Sequence, residues 1–123
     1  MTIMLRTSTV TSTTSMTSVP SMTELNERVA RGVALLNRLQ PGWPSRVNVD
    51  TLSMISVVDC VLAQACNMTF HEARVWLRLR MDDAVECGFF ANTSSDASVE
   101  AIHNEYGALT TLWCAVVKEL RTR

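Results

Sequence analysis

An apolar stripe near the C-terminus is the feature that most constrains the fold of this chain. Apolar side chains recur there at alternating intervals of three and four residues, the spacing of one face of an α-helix, at Val99, Ile102, Tyr106, Leu109, Trp113, Val116 and Leu120. The stripe predicts a helix over 97–121, in which Gly107 marks a point of close packing. Other helices of the same chain are the expected partners of this face, and a homodimer through the C-terminal helix is the alternative.

Three segments upstream of the stripe also have helical periodicity. Ser21 and Glu24 have the spacing of a capping box, in which each side chain bonds the backbone N–H of the other, and the same spacing recurs at Thr69 and Glu72. Asp50 is the predicted N-cap of the helix between them. The sequence therefore predicts an all-α fold, a small four-helix bundle-like domain over 22–123, with helices over 22–40, 51–66, 70–87 and 97–121.

The first 21 residues differ from everything that follows. Twelve of these 21 residues are Ser or Thr, only Arg6 is charged, and the apolar residues follow neither a helical nor an alternating pattern. Such a composition buries little apolar surface. Residues 1–21 are therefore predicted to be a disordered, flexible leader.

The overall composition limits the classes of function. A chain of 123 residues has room for one domain with one hydrophobic core. Its net charge of −1 gives no general attraction to nucleic acid or to an anionic membrane. No run approaches the roughly 18 apolar residues of a membrane span, and no secretory signal is recognisable. We expect a cytoplasmic protein that does not bind membranes.

The residue types that perform catalysis or bind metals do not form a known constellation. His71–Glu72 begins the zinc motif H-E-x-x-H, but Val75 stands where the second histidine is required. The four cysteines, at positions 60, 66, 87 and 114, contain no C-x-x-C pair. The acidic pair Asp82–Asp83 follows arginines on the same predicted helix, which is typical of a solvated charged face. We therefore expect no enzyme, no metal and no cofactor.

The segment from Leu62 to Leu77 has the pattern of a helix-turn-helix. Asn67 accepts the left-handed conformation that such a turn requires. Arginine hydrogen-bonds guanine and phosphate oxygens, so the candidate DNA-binding residues are those at the front of the second helix: Thr69, His71, Arg74 and Arg78. Phe70 and Glu72 share this front, and the slightly acidic chain lacks the basic stripe usual in DNA-binding domains.

The motif Pro41–Gly42–Trp43 ends the first predicted helix and leaves two interpretations of its tryptophan. As part of the scaffold, Trp43 folds back over the end of the domain, and the prolines on either side stiffen the loop. As the candidate partner-binding residue, Trp43 is an exposed aromatic anchor of the kind that dominates many protein interfaces. The burial of its side chain decides between the two.

Several short motifs together resemble a family of small proteins encoded by actinobacteriophages and their hosts. They cover roughly residues 25–121 and comprise Pro41–Gly42–Trp43, the step from Val47 to Asp50, Leu52, Cys60–Val61–Leu62–Ala63–Gln64, Gly88–Phe89, Tyr106, Leu109–Thr110 and Trp113. Ala63 departs from the glycine usual in that family. The segment between Cys66 and Gly88 is variable there, so the resemblance does not extend to the helix-turn-helix pattern.

The resemblance implies a phage accessory protein of unknown function that acts in the cytoplasm of an actinobacterial host, and it implies no catalytic residue. The function expected from the sequence is therefore a small, non-catalytic helical module that binds a host or phage protein. The alternative is a helix-turn-helix DNA-binding regulator that uses the helix beginning at Thr69.

Overall fold

The computed structural model describes residues 21–92 and 98–122, which form five α-helices and one 3₁₀ helix. The helices are α1 (Met22–Leu39), α2 (Val61–Cys66), α3 (Phe70–Trp76), α4 (Met81–Glu86) and α5 (Val99–Arg121), and the 3₁₀ helix spans Trp43–Arg46. These residues contain no β-strand, so the predicted all-α class is confirmed. The predicted flexible leader lies, apart from Ser21, outside the described residues.

The two long helices, α1 and α5, begin with side-chain caps. Ser21 Oγ accepts a hydrogen bond from Glu24 N (3.1 Å), and Ser98 Oγ accepts one from Ala101 N (3.0 Å). Each cap satisfies a backbone N–H that has no partner within the helix. The predicted first and last helices are confirmed, each to within two residues at either end.

Trp113, in the middle of α5, is the centre of an aromatic cluster in the core. Its ring stacks on Phe89 with centroids 5.7 Å apart, and Trp43 meets it edge to face at 5.9 Å. Its Nε1 donates a hydrogen bond to the Gly88 carbonyl (2.8 Å). The stripe of α5 is used within the chain, because its central residues are buried: Tyr106, Leu109, Trp113 and the neighbouring Val117. The alternative homodimer through α5 stays a prediction.

Close packing of α1 on α5 occurs at Gly32 and not at Gly107. A Cβ atom at Gly32 would lie 2.7 Å from Cζ2 of Trp113 and would also collide with the carbonyl oxygen of Cys87. A Cβ atom at Gly107 would meet no described atom within 4 Å. The predicted close approach at Gly107 is therefore wrong. The glycine that permits close packing is Gly32, where the indole of Trp113 lies directly against the backbone of α1.

The predicted helix over 51–66 is wrong in its N-terminal part. Residues 51–60 form successive turns, and no helix follows directly on the predicted cap Asp50. The side chain of Ser56 accounts for this, because its Oγ accepts hydrogen bonds from the backbone N–H groups at positions 58 and 59 (3.2 and 3.0 Å). Local bonds of this kind compete with the hydrogen bonds of a helix.

The predicted helix over 70–87 is wrong as a single element, because it is interrupted between α3 and α4. Arg78 has a left-handed backbone (φ 61°), and the N–H groups of Arg78 and Leu79 donate to the carbonyls of Val75 and Arg74 (3.0 and 2.8 Å). This is the Schellman arrangement that ends helices. The interruption buries Leu79, which a continuous helix would direct away from the stripe that faces the core.

A buried ion pair joins α1 and α5 and holds the segment that follows α4. Arg28 Nη1 lies 2.9 Å from Glu105 Oε2, and only 3% and 4% of the two side chains are exposed. Arg28 also donates to the carbonyls of Val85 (2.7 Å) and Phe90 (2.8 Å), and Asn92 N donates to Glu105 Oε2 (2.9 Å). These bonds fix the chain beyond α4 against the two long helices.

Candidate interaction surface

The connection between α2 and α3 has the local geometry expected of a helix-turn-helix. Asn67 is left-handed (φ 57°), as predicted, and Met68 N donates to the Ala63 carbonyl (3.0 Å). The small side chains of Ala63 and Ala73 are buried, one on each helix. The turn alone does not distinguish a DNA reader from two ordinary packed helices, so the outward side chains of α3 are decisive.

Two of the four candidate DNA-binding residues are committed to bonds within the chain. Thr69 Oγ1 accepts a hydrogen bond from Glu72 N (3.3 Å), and Glu72 Oε1 accepts one from Thr69 N (3.1 Å), so the predicted capping box is confirmed. Arg74 is half-buried and donates from Nη1 to the Leu79 carbonyl (3.0 Å). This bond holds the guanidinium against the end of α3.

The other two candidates, His71 and Arg78, are exposed but do not share one helical face. The His71 ring meets Phe70 edge to face, with centroids 5.2 Å apart. Arg78 follows the end of α3, and its left-handed backbone removes it from the helical turn predicted for it. The structure therefore does not bring Thr69, His71, Arg74 and Arg78 together into one basic front.

Trp43 lies inside the domain. None of the residue is exposed (0%), and its Nε1 donates a hydrogen bond to Asn37 Oδ1 (2.9 Å). The suggestion that Trp43 is an exposed partner-binding anchor is corrected accordingly, because a side chain without exposed surface offers a partner nothing to contact. Its role in the structure is to cover the core beside Trp113.

The most exposed large aromatic residue lies instead on α3. Trp76 is 58% exposed and Val75 is 65% exposed. Both lie at the edge of an open concavity of about 730 Å³ that extends along α3 to Met68, past His71 and Glu72. We call the surface formed by Met68, His71, Glu72, Val75 and Trp76 the α3 face.

A second hollow adjoins the α3 face. It measures about 450 Å³, shares Asn67, Met68 and Glu72 with the first, and reaches Val58 in the turns before α2. Val58 is 57% exposed. Single exposed apolar residues are normal on a soluble protein, whereas a contiguous group of them marks an interaction site.

Sequence reasoning missed Val75 and Trp76. The stripe that directs α3 toward the core consists of Phe70, Ala73 and Leu77, and the two missed residues lie outside it. Two adjacent large apolar residues off the core-facing stripe of an amphipathic helix were the signal available. More than half of each side chain is exposed to solvent.

The four cysteines are free thiols, and burial raises the pKa of each of them above its ordinary value. They are therefore protonated at neutral pH, and a protonated thiol is a poor nucleophile. Within 21–92 and 98–122, no three His, Cys, Asp or Glu side chains are grouped so that they could hold a metal ion. None of the five described helices combines the length and the apolar character needed to cross a bilayer.

No protein-family model, curated protein or solved structure matches this chain.

Proposed function

We propose that this chain is a small, non-catalytic accessory protein of the phage type, which acts in the cytoplasm of a bacterial host as a helical interaction module. Its task is to bind another protein, of the host or of the phage, through the α3 face. The observation that carries this proposal is the exposure of Trp76 beside Val75 and the concavity that reaches Met68.

α3 leaves the apolar surface of Trp76 and Val75 in water. Burying apolar surface releases roughly 25 cal/mol for each Å² removed from water, and a large aromatic side chain at the centre of an interface often supplies most of the binding energy. Trp76 contributes little to the core because more than half of it is exposed. A partner that covers Trp76 and Val75 recovers this free energy.

The test compares the full chain with two variants, in each of which serine replaces one exposed apolar residue. Trp76→Ser removes the proposed anchor, and Val99→Ser removes an apolar residue that is 73% exposed at the start of α5, away from the α3 face. Host and phage proteins retained by the immobilised chain should also be retained by Val99→Ser and lost from Trp76→Ser, with unchanged circular dichroism. Equal retention by all three proteins would refute the proposal.

The alternative function is DNA binding, and the observation in its favour is the left-handed turn at Asn67 between α2 and α3. Double-stranded DNA at low salt tests it, because binding through phosphate contacts weakens steeply as salt rises. Retention that falls with salt and disappears in Arg78→Glu would favour a regulator. We expect no such retention, since Thr69 and Arg74 are engaged within the chain.

A further inference from the structure

We propose that the segment of the partner protein that lies on the α3 face carries a basic residue beside its apolar anchor and an acidic residue beyond the base. This inference rests on the proposed function and names the chemistry of the partner. It is supported by the path of the two hollows beside α3, by the charged side chains that line them, and by the bonds that hold these side chains in place.

The two hollows meet and form one groove. Asn67, Met68 and Glu72 line both of them. Trp76 lines the first hollow, and Arg46 lines the second. A segment that lies along the groove therefore meets Trp76 at one end, Glu72 in the middle and Arg46 at the other end.

The end of the groove at Trp76 takes an apolar side chain. Trp76 and Val75 are 58% and 65% exposed, and Met68 continues their apolar surface into the groove. Covering apolar surface stabilises a complex in proportion to the area removed from water. The apolar anchor of the partner therefore lies at this end, and the charged groups beyond it determine which segments fit.

The middle of the groove takes a base, because Glu72 offers a carboxylate that is fixed and has no basic partner. Its Oε1 accepts hydrogen bonds from the backbone N and from Oγ1 of Thr69, both 3.1 Å long. Within 21–92 and 98–122, no basic side chain forms an ion pair with Glu72, so its Oε2 is left to accept a bond from the partner. A carboxylate that is already held in place loses little side-chain freedom when a lysine or an arginine binds it.

The far end of the groove takes an acid, because the guanidinium of Arg46 lies there. Its Nε donates to the Ala65 carbonyl at the end of α2 (2.9 Å), and its Nη2 makes longer bonds to Gln40 (3.4 and 3.5 Å). Its Nη1 donates no hydrogen bond to any residue that the structure describes. A guanidinium has several N–H donors, so Arg46 can bind an acidic side chain through Nη1 while Nε keeps its bond to Ala65.

A segment with the reverse order of charges is excluded by repulsion. Its acid would face Glu72 and its base would face Arg46, so both contacts become unfavourable. The same repulsion disfavours a phosphate backbone, since Glu72 lies in the middle of the groove. The groove therefore favours a protein segment with the order apolar, base, acid.

The experiment titrates the full chain with capped synthetic peptides and follows the emission of Trp76. One series has two leucines, then lysine, then glutamate, with one, two or three alanines between the charges; the second series has lysine and glutamate exchanged. Trp43 and Trp113 are fully buried, so a shift of the emission to shorter wavelength reports on Trp76. We expect a lysine-first peptide to bind about three- to tenfold more tightly than its exchanged counterpart, the effect of two exposed ion pairs.

Substitutions assign this preference to the two charged side chains. Glu72→Gln removes the charge but keeps an oxygen for the capping box, and Arg46→Gln removes the cation; each should lose part of the preference, and the double variant all of it. Glu100→Gln and Arg38→Gln are matched changes at exposed positions that line neither hollow, and they should preserve it.

Two controls separate binding from folding. Circular dichroism shows whether each variant keeps its fold. Peptides in which glutamine replaces the glutamate test the contact with Arg46 without altering the chain, and they should bind more weakly than the lysine-first peptides.

Three results would overturn the inference: no binding by any peptide, equal affinity for the two series at every spacing, or a preference that is unchanged in the double variant. A Trp76 emission already at short wavelength without peptide would also overturn it. The occupant would then be a second copy if this emission depends on protein concentration, and residues 1–20 of the same chain if it does not.

The proposed function has a separate outcome. If a host or phage protein is retained through Trp76 and its retention is unchanged in the double variant, the α3 face binds a partner and only the order of charges is refuted. If no protein is retained through Trp76 and no peptide binds, both proposals fail.

Discussion

Arg28 and Glu105 are joined by an ion pair of 2.9 Å that is almost entirely removed from solvent. Truncating one member leaves the other as a buried, uncompensated charge, which costs about 3–5 kcal/mol. Arg28→Met should therefore lower the free energy of unfolding in urea by about that amount. It also deprives the Val85 and Phe90 carbonyls of a donor.

The matched control for this prediction is Arg80→Met. Arg80 and Asp82 also form a pair, but it is longer, 3.8 Å, and its side chains are 82% and 85% exposed. Such pairs contribute little, and we expect a change within about 0.5 kcal/mol. Equal effects of Arg28→Met and Arg80→Met would show that the burial of the Arg28–Glu105 pair is energetically unimportant.

Alanine at Gly32 and at Gly107 should have opposite effects on stability. At Gly32 the new Cβ would meet the Trp113 ring and a backbone oxygen, and such overpacking costs about 1–3 kcal/mol. At Gly107 it would meet nothing, and removing a helical glycine stabilises by about 0.5–1 kcal/mol. Urea unfolding of Gly32→Ala and Gly107→Ala measures both signs, and a gain at Gly32 would contradict the close packing of α1 on Trp113.

Alanine substitutions at Trp43 and Trp76 should have very different effects on the free energy of unfolding. Trp43→Ala removes a fully buried ring and its bond to Asn37, so we expect a loss of about 3–5 kcal/mol. Trp76→Ala removes an exposed ring and should change stability by no more than about 0.5 kcal/mol. Acrylamide quenching provides a further check, because Trp76 is the exposed one of the three tryptophans and should be the one that is strongly quenched.

The sequence was sufficient to locate the elements that local chemistry and periodicity define together. α1 and α5 have serine caps, long apolar stripes and core-facing residues in the expected rhythm, so their boundaries followed from the pattern. The capping box at Thr69 and the left-handed Asn67 likewise depend only on neighbouring residues. These features are local, and a single sequence contains the information they require.

The predicted helices over 51–66 and 70–87 have wrong boundaries because local hydrogen bonds compete there with those of a helix, and an apolar pattern does not show which of the two forms. The hydroxyl oxygen of Ser56 accepts hydrogen bonds from the N–H groups of Val58 and Asp59, which therefore do not enter a helix there. Arg78 takes a left-handed conformation without the glycine that usually signals it. The α3 face was missed for a related reason: periodicity shows which residues fit the core, but the exposure of Trp76 depends on which neighbours the interrupted helix brings near it.

Arg78→Gly should raise the stability of the fold, because Arg78 has a left-handed backbone. Glycine adopts the left-handed backbone without the steric penalty of a Cβ atom. Replacing the strained arginine by glycine should therefore raise the free energy of unfolding by about 1 kcal/mol. Urea unfolding measures the gain; a loss of stability in Arg78→Gly would show that the left-handed backbone of Arg78 stores no strain that glycine relieves.

Alkaline pH should destabilise the fold through its buried thiols. Burial raises the pKa of Cys60, whose thiol lies in the core, and it raises the pKa of Tyr106 as well. Below about pH 8.5, where free thiols are protonated, the folded and unfolded chains bind the same number of protons at Cys60. Above that pH the unfolded chain releases a proton that the folded chain retains, so stability falls as pH rises through the folded pKa, by at most about 1.4 kcal/mol per pH unit for each thiol. Urea unfolding between neutral pH and pH 10 measures the slope, and Cys60→Ala should reduce it; a slope that is unchanged in this variant would show that Cys60 contributes nothing to it.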